Sequence, residues 1–342
     1  MSEQRDLNKE ILTKCLDILC CPGCKGEMSR HEQSLICAGC KKTYEIIDGI
    51  PRYFVPNEWN ASKEDVTEGI RSFYEEYPFP NYDDCDDVGT LIEKARKGFF
   101  GKLLDDQIPF RARVLECGCG TGQLTNFLSI ANRDVIGTDI CLNSLKMAHD
   151  FKRKNSLDRA VFFQMNLFRP CFRPESFDLV ICNGVLHHTS DPFLGFKSIS
   201  ALVKQGGYIL IGLYHRYGRL VTDMRRVVFR ITGDRLKFLD RRAVNKAISL
   251  PKRISWYKDQ YKNPHESKHT FGEVKEWFDR TGFEFIKCIP KTVPFVGFTE
   301  SERLFHPDRF GSPIERLLVN IGTVFTGSRE GGFFVMIGKR SH

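Results

Sequence analysis

At 342 residues with a net charge of +8, the chain is too long for one small module and suits a catalytic domain of roughly 200 residues with attachments. Hydrophobic residues at 41% and charged residues at 27% exclude wholesale disorder and a fibrous repeat, and no apolar run has the length of a membrane span. The first ten residues lack the pattern of a secretory signal, so a cytoplasmic location is expected. The 13 cysteines are then expected to be thiols and metal ligands, not a disulfide framework.

Residues 1–57 are expected to hold an N-terminal helix and a small metal-bound ribbon. Cys21-Pro-Gly-Cys24 and Cys37-Ala-Gly-Cys40 are separated by twelve residues. Each glycine-containing turn aims two thiolates at one tetrahedral zinc. The expected role is structural and closed, because so short a module cannot build its own core and folds on its metal; a catalytic zinc with an open position is the alternative. Residues 58–110 form an acidic linker, with 12 acidic against 6 basic side chains over 61–110. It is expected to be helical at both ends, around the aromatic stretch Phe73 to Tyr82. Two prolines among five aromatics there rule out an ordinary helix. Tyr74, Tyr77, Phe79 and Tyr82 are candidates for a lid over a cofactor or flat substrate, against the plainer reading of a packed crossover.

Residues 111–215 alternate apolar strands with helical periodicity, as parallel βαβ units do. Strands are predicted over 113–117, 134–138, 160–165, 177–182 and 207–213, with helices over 121–131, 142–155 and 192–203. Glu116-Cys-Gly118-Cys119-Gly120-Thr-Gly122 follows the first strand and opens a helix, where glycines admit close backbone approach and the helix N-terminus offers free N–H groups. Asp139 ends the second strand 23 residues after Glu116, where a carboxylate can hold ribose hydroxyls. Together these point to a nucleoside-containing cofactor.

Residues 216–269 form a basic helical insert, bordering an acceptor, with 14 basic against 4 acidic side chains over 216–262. Within it, 219–231 is an amphipathic helix with Leu220, Met224, Val227, Val228 and Ile231 on one face. Three roles are open: a lid with a solvated basic face, an RNA-phosphate contact, or peripheral contact with an anionic membrane or lipid-like acceptor. Tyr261 and His265 are acceptor-side candidates, and His265, Glu266 and His269 carry an alternative reading as metal ligands. Thr270 and Glu273 form a capping box for a helix over 271–280. Residues 270–342 then finish the sheet with strands over 283–289 and 332–338, around a second insert at 290–331.

The GxGxG loop with its preceding acid resembles class I S-adenosylmethionine-dependent methyltransferases, closest to the type 11 group that includes ubiquinone and menaquinone methyltransferases. The resemblance spans Arg113 to about Leu213 and, more loosely, the last strands. It implies an α/β, Rossmann-like, seven-stranded sheet with helices on both faces, besides the ribbon and helical inserts. It also implies that Glu116, Gly118, Gly120 and Gly122, with Cys119 between them, hold the methionine moiety, that Asp139 beside Ile140 holds the ribose, and that Asn166 and Leu167 meet the adenine. Asn166 replaces the family's usual Asp, but an amide oxygen can still accept from the adenine amine. The fourth-strand stretch from Cys182 through Asn183, His187 and His188 is similar to the family's signature beside the sulfonium. The zinc block resembles the activator subunit of tRNA and release-factor methyltransferases.

Methyl transfer needs mainly positioning and, for some acceptors, proton removal. His188, then His187, is a candidate base, and Tyr214 and His215 at the end of the fifth strand are further candidates; Cys117 and Cys119 are expected to be small spacers. The expected function is transfer from S-adenosylmethionine, yielding S-adenosylhomocysteine, to a small or lipid-like organic acceptor. An RNA acceptor, either tRNA or rRNA, is the alternative, with the ribbon and basic insert gripping phosphates.

Overall fold

The computed structural model describes residues 15–31, 33–59, 65–80, 82, 87–330 and 332–341. The expected N-terminal helix falls largely on residues 1–14, outside the described residues. From Met28 the chain runs through a four-stranded antiparallel meander: β1 (Met28–His31), β2 (Ser34–Cys37), β3 (Thr43–Ile47) and β4 (Ile50–Pro51). Three helices follow, α1 (Thr67–Glu76), α2 (Val88–Lys97) and α3 (Phe99–Gln107). Asp87 opens α2 by accepting the Thr90 N–H, and the Thr90 hydroxyl returns the bond to complete a capping box.

The alternating segment then gives β5 (Arg113–Cys117), α4 (Gln123–Ile130), β6 (Asp134–Asp139), α5 (Leu142–Lys154), β7 (Ala160–Gln164), β8 (Phe177–Asn183), α6 (Pro192–Ser200) and β9 (Val203–Tyr214). The basic insert holds α7 (Leu220–Ile231), α8 (Arg241–Val244) and α9 (Leu250–Lys262). The chain ends with α10 (Phe271–Thr281), β10 (Phe283–Ile289), α11 (Pro313–Glu330) and β11 (Phe333–Arg340). Strand order in the main sheet is β10-β11-β9-β8-β5-β6-β7. Only β11 runs against its neighbours. This is the seven-stranded α/β sheet expected from the sequence. Two boundaries differ by several residues: α1 continues through Phe73–Glu76, the start of the aromatic stretch, and ends before Pro78, while the sixth helix stops at Ser200 and β9 begins at Val203, before the glycine pair. Gly206 supplies a positive φ there, and the pairing of β8 with β9 shifts register beside it.

Two features of this topology place the site. The order reverses at β5, whose neighbours are β6 on one side and β8 on the other, so the carboxyl ends of these strands border a crevice. In addition, the ribbon is no separate module. Leu35, Tyr44 and Tyr53 are buried in the same apolar cluster as Phe163, Met165, Phe172 and Phe177 of the main domain. Tyr53 stacks on Tyr44 at 4.7 Å and lies 6.1 Å from Phe163, centroid to centroid. The backbone joins too: Arg52 bridges Gln164 in parallel, Tyr53 N–H donates to the Gln164 carbonyl at 2.9 Å, and Cys20 N–H donates to that of Cys171 at 2.8 Å.

Candidate active site

The strand ends and the inserts enclose a cavity of about 1000 Å³, at the upper end of ligand-site volumes. Its inner half is the glycine loop and the acids around it. Gly118 has φ +69°, and a Cβ there would collide with the Val185 side chain; a Cβ on Gly120 would strike the Phe79 carbonyl. Both positions need glycine, because the aromatic segment and the loop after β8 lie directly on this backbone. Asp139 accepts the Gly120 N–H and the Cys141 N–H, each at 2.8 Å, while burial pushes its carboxyl above the ordinary range. Burial likewise pushes Glu116 up to about 8, against the opposing bond from the Thr125 hydroxyl at 2.5 Å. A buried acid held so high is primed for a cationic partner.

Of the expected cofactor residues, Glu116, Gly118, Cys119, Gly120, Asp139, Ile140, Asn166, Leu167 and Asn183 all line the cavity. Gly122 does not. It caps α4 in a left-handed conformation and packs under Ala148 and Phe162, so its role is to start the helix. Asn166 spends its amide donors on the Val55 carbonyl at 2.9 Å and Asn57 Oδ1 at 2.7 Å, and its own oxygen accepts the Phe168 N–H at 3.1 Å. The stretch leaving the ribbon thereby fixes this side chain in the cavity wall.

The outer half is built by the aromatic segment and the basic insert. Tyr74, Phe79, His188, Tyr214 and Tyr261 line it as expected. His188 is buried, and its Nδ1 lies 2.7 Å from the His265 carbonyl. A carbonyl only accepts, so Nδ1 carries the proton and Nε2 of the neutral ring is left as the basic nitrogen. Burial holds this imidazole below its ordinary pKa, so it is neutral near pH 7. Beside it Tyr74 donates to Asp259 at 2.8 Å, and Gln260 Nε2 bonds both Asp259, at 2.9 Å, and the Tyr214 hydroxyl, at 2.8 Å. The Arg219 guanidinium sits 3.8 Å from the Tyr214 ring centroid and donates to Gln260 Oε1 at 2.6 Å.

Several candidates lie elsewhere. His187 is buried behind the wall with its ring 4.1 Å from that of Tyr214, and burial drives its pKa well down. His215 turns away from the crevice and stacks on Phe271 at 4.4 Å, because successive strand residues point to opposite faces. Tyr77 lies under the Lys258 ammonium, and Tyr82 stacks on Phe151 at 4.5 Å while accepting from Asn126. His265 meets His188 through its backbone carbonyl, while its ring Nε2 donates to the Thr189 carbonyl at 3.1 Å. The metal reading of His265, Glu266 and His269 fails: Glu266 is consumed by Arg219 and Arg226, at 2.6 and 2.8 Å, and His269 by Glu273 and Ser267. Asp259 and Gln260 went unforeseen. The available signal was that Asp259 is one of only four acids in a segment with fourteen bases.

A second constellation stands apart from the cavity. The ligand atoms of Cys21, Cys24, Cys37 and Cys40 lie within 4.8 Å of one another, with Cys24 to Cys37 at 3.3 Å and Cys21 to Cys40 at 3.7 Å. Four thiolates around a zinc at about 2.3 Å sit roughly 3.8 Å apart, and Gly26 leaves room that a Cβ would take from the Cys37 and Cys24 sulfurs. The donor set fits a closed structural zinc, and among the described residues it is the only such group.

Comparison with known proteins finds two family matches in the chain. The family described as methyltransferase domain matches residues 115–211, and that described as Trm112p-like protein matches 13–49. A ubiquinone biosynthesis O-methyltransferase of Bordetella pertussis is 33% identical over 107 residues, 30% of this chain and 43% of that protein. An uncharacterised protein of Synechococcus is 27% identical over 281 residues, 74% of this chain and 64% of its own length. The chain thus spans less than two thirds of these relatives. Among solved structures, magnesium protoporphyrin IX methyltransferase from Synechocystis with bound S-adenosylmethionine is 13% identical, with a TM-score of 0.45 over 83% of this chain and all of that one. The complex of the Haloferax volcanii Trm112 activator with a methyltransferase is 13% identical, with a TM-score of 0.44 over 74% of this chain and 98% of that one. In this chain the segment that matches the methyltransferase domain supplies the inner half of the cavity, and the segments outside it supply most of the outer half.

Proposed function

We propose that the chain transfers a methyl group from S-adenosylmethionine to a small or lipid-like organic acceptor. The observation that carries this reading is that one cavity joins two unlike halves: its inner half presents Glu116 and Asp139 on a glycine loop, and its outer half presents aromatic rings and His188. Glu116 would hold the cofactor's ammonium, Asp139 its ribose, and Asn166 and Leu167 its adenine. Bound there, S-adenosylmethionine supplies a methyl carbon activated by a sulfonium. The protein's own work is then positional. Tyr74, Phe79 and Tyr261 exclude water and give an apolar acceptor a wall to pack on. His188 Nε2 takes the proton of an acidic acceptor hydroxyl or amine, with Nδ1 anchored on the His265 carbonyl. Tyr74, Asp259 and Gln260 orient polar groups of the acceptor.

The turned-in arginines favour this acceptor class over RNA. Arg219 is fully buried and Arg226 is tied to Glu266, so α7 offers no continuous track for phosphates. Isothermal titration with S-adenosylmethionine tests the cofactor assignment. Asp139→Ala should weaken binding at least tenfold, since charged hydrogen bonds contribute about 1.5–3 kcal/mol each; unchanged affinity would show the ribose assignment to be wrong. Labelled methyl groups followed into cell extracts test the acceptor. Counts in the organic-solvent fraction are expected, and counts in RNA that vanish in rising salt would install the other acceptor.

A further inference from the structure

The helix α7 is amphipathic in the reverse of the usual sense. A surface helix normally turns its apolar stripe to the core, yet here Leu220, Met224, Val227 and Ile231 all face outward, with Met224 61% and Ile231 79% exposed. Arg219, Thr222 and Phe229 take the buried side. Beside it packs α11, which turns Val319 inward and exposes a second stripe of Ile314, Leu317, Leu318, Ile321 and Phe325, the last at 78%. Two adjoining helices with outward apolar stripes far exceed the scattered exposed side chains of an ordinary surface.

We propose that these two stripes seat the protein on an anionic lipid bilayer, entering the headgroup and upper acyl region side by side. Charge selects this occupant. The stripe of α7 belongs to a segment with a net +10 (14 basic, 4 acidic); Arg230 is exposed in its last turn, and Arg235, Lys237, Arg241 and Lys246 are exposed beyond its end. Apolar residues flanked by cations match an anionic interface, whereas a second copy docked by symmetry would set like charges face to face. The stripe is also one helix away from the cavity. Thr222 and Arg225 of α7 line its wall, and so do Leu239, Arg241 and Arg242 just beyond. On the proposed reading of the site, a lipid-like acceptor would pass from the leaflet along this edge to His188.

Flotation with phosphatidylcholine vesicles, with and without phosphatidylglycerol, tests the docking, and cofactor titration run in parallel tests the site separately. The full chain should float only with the anionic vesicles. Met224→Glu and Phe325→Glu should each weaken that binding roughly tenfold or more, as burying a charge in the interface does, while S-adenosylmethionine affinity and the far-ultraviolet spectrum stay unchanged. Arg230→Glu with Arg235→Glu, in one chain, should do the same through charge alone. Failure to float with either vesicle overturns the proposal. So do variants that float as well as the parent, and so does a dimer in sedimentation that these substitutions dissociate in the absence of vesicle binding. Loss of cofactor binding by the parent chain would instead count against the catalytic reading and leave the docking result standing.

Discussion

Glu116 is the side chain with the most to lose by being alone. Its carboxyl is pushed up to about 8 chiefly by burial, so near pH 7 the cofactor-free protein holds it mostly protonated. A bound ammonium stabilises the ionised form and pulls that pKa back down. Binding therefore releases a proton at neutral pH, and affinity should climb as pH rises towards about 8, then level off. Titration in two buffers of different ionisation enthalpy measures the released proton directly. Glu116→Gln should abolish the buffer dependence as well as weaken binding, and equal heats for the parent in both buffers would contradict the assignment. This half of the site was legible in the sequence because its members are close in the chain and mark their places with glycines and strand ends. The other half was not: Tyr74 and Asp259 are 185 residues apart, and nothing local to either residue announces the pairing. His215 shows the opposite failure. The strand was read correctly, but a side chain's face depends on register, and a shift of one residue reverses it.

Elements show a similar division between what periodicity tells and what it leaves open. The stripe on α7 was plain from spacing alone, yet spacing gives a face and no direction, so an inward apolar face was the natural expectation. Arg219 decides otherwise. Its guanidinium is fully buried, held by Glu266 at 2.6 Å and seated over Tyr214, and Arg226 joins the same carboxylate at 2.8 Å. With the charged side pinned inside, the apolar side has only solvent or a partner to face. Removing one member of a buried ion pair strands the other, at a cost of about 3–5 kcal/mol. Glu266→Ala should therefore lower the denaturant midpoint and loosen α7 in hydrogen exchange, while the amides of β5 and β6 stay protected. Uniform loss of protection across the chain, or no loss, would mean the pair does not anchor this helix.

Across the whole molecule the ribbon changes meaning. Taken alone, the two cysteine pairs promised a module that unfolds without its metal and leaves the catalytic core intact. The shared cluster of Tyr44 and Tyr53 with Phe163 and Phe172, together with the bonds from Asn166 to Val55 and Asn57, ties metal, ribbon and cavity wall together. Stripping zinc, or substituting Cys37→Ser, should then weaken S-adenosylmethionine binding by a factor of several, the loss expected of one or two hydrogen bonds at about 0.5–1.5 kcal/mol each. Metal content and cofactor affinity measured on the same samples would separate the two views; zinc-free protein with undiminished affinity would return the ribbon to mere attachment.

The bridge from Arg52 to Gln164 has one more consequence. An open sheet ends in a strand whose unpaired N–H and C=O groups can recruit a strand from another molecule. At β7 the chain from Ile50 to Tyr53 occupies part of that border, so the polypeptide supplies its own neighbour. The thiol cluster, some distance from any chemistry, thus helps keep one flank of the catalytic sheet from becoming a template for self-association.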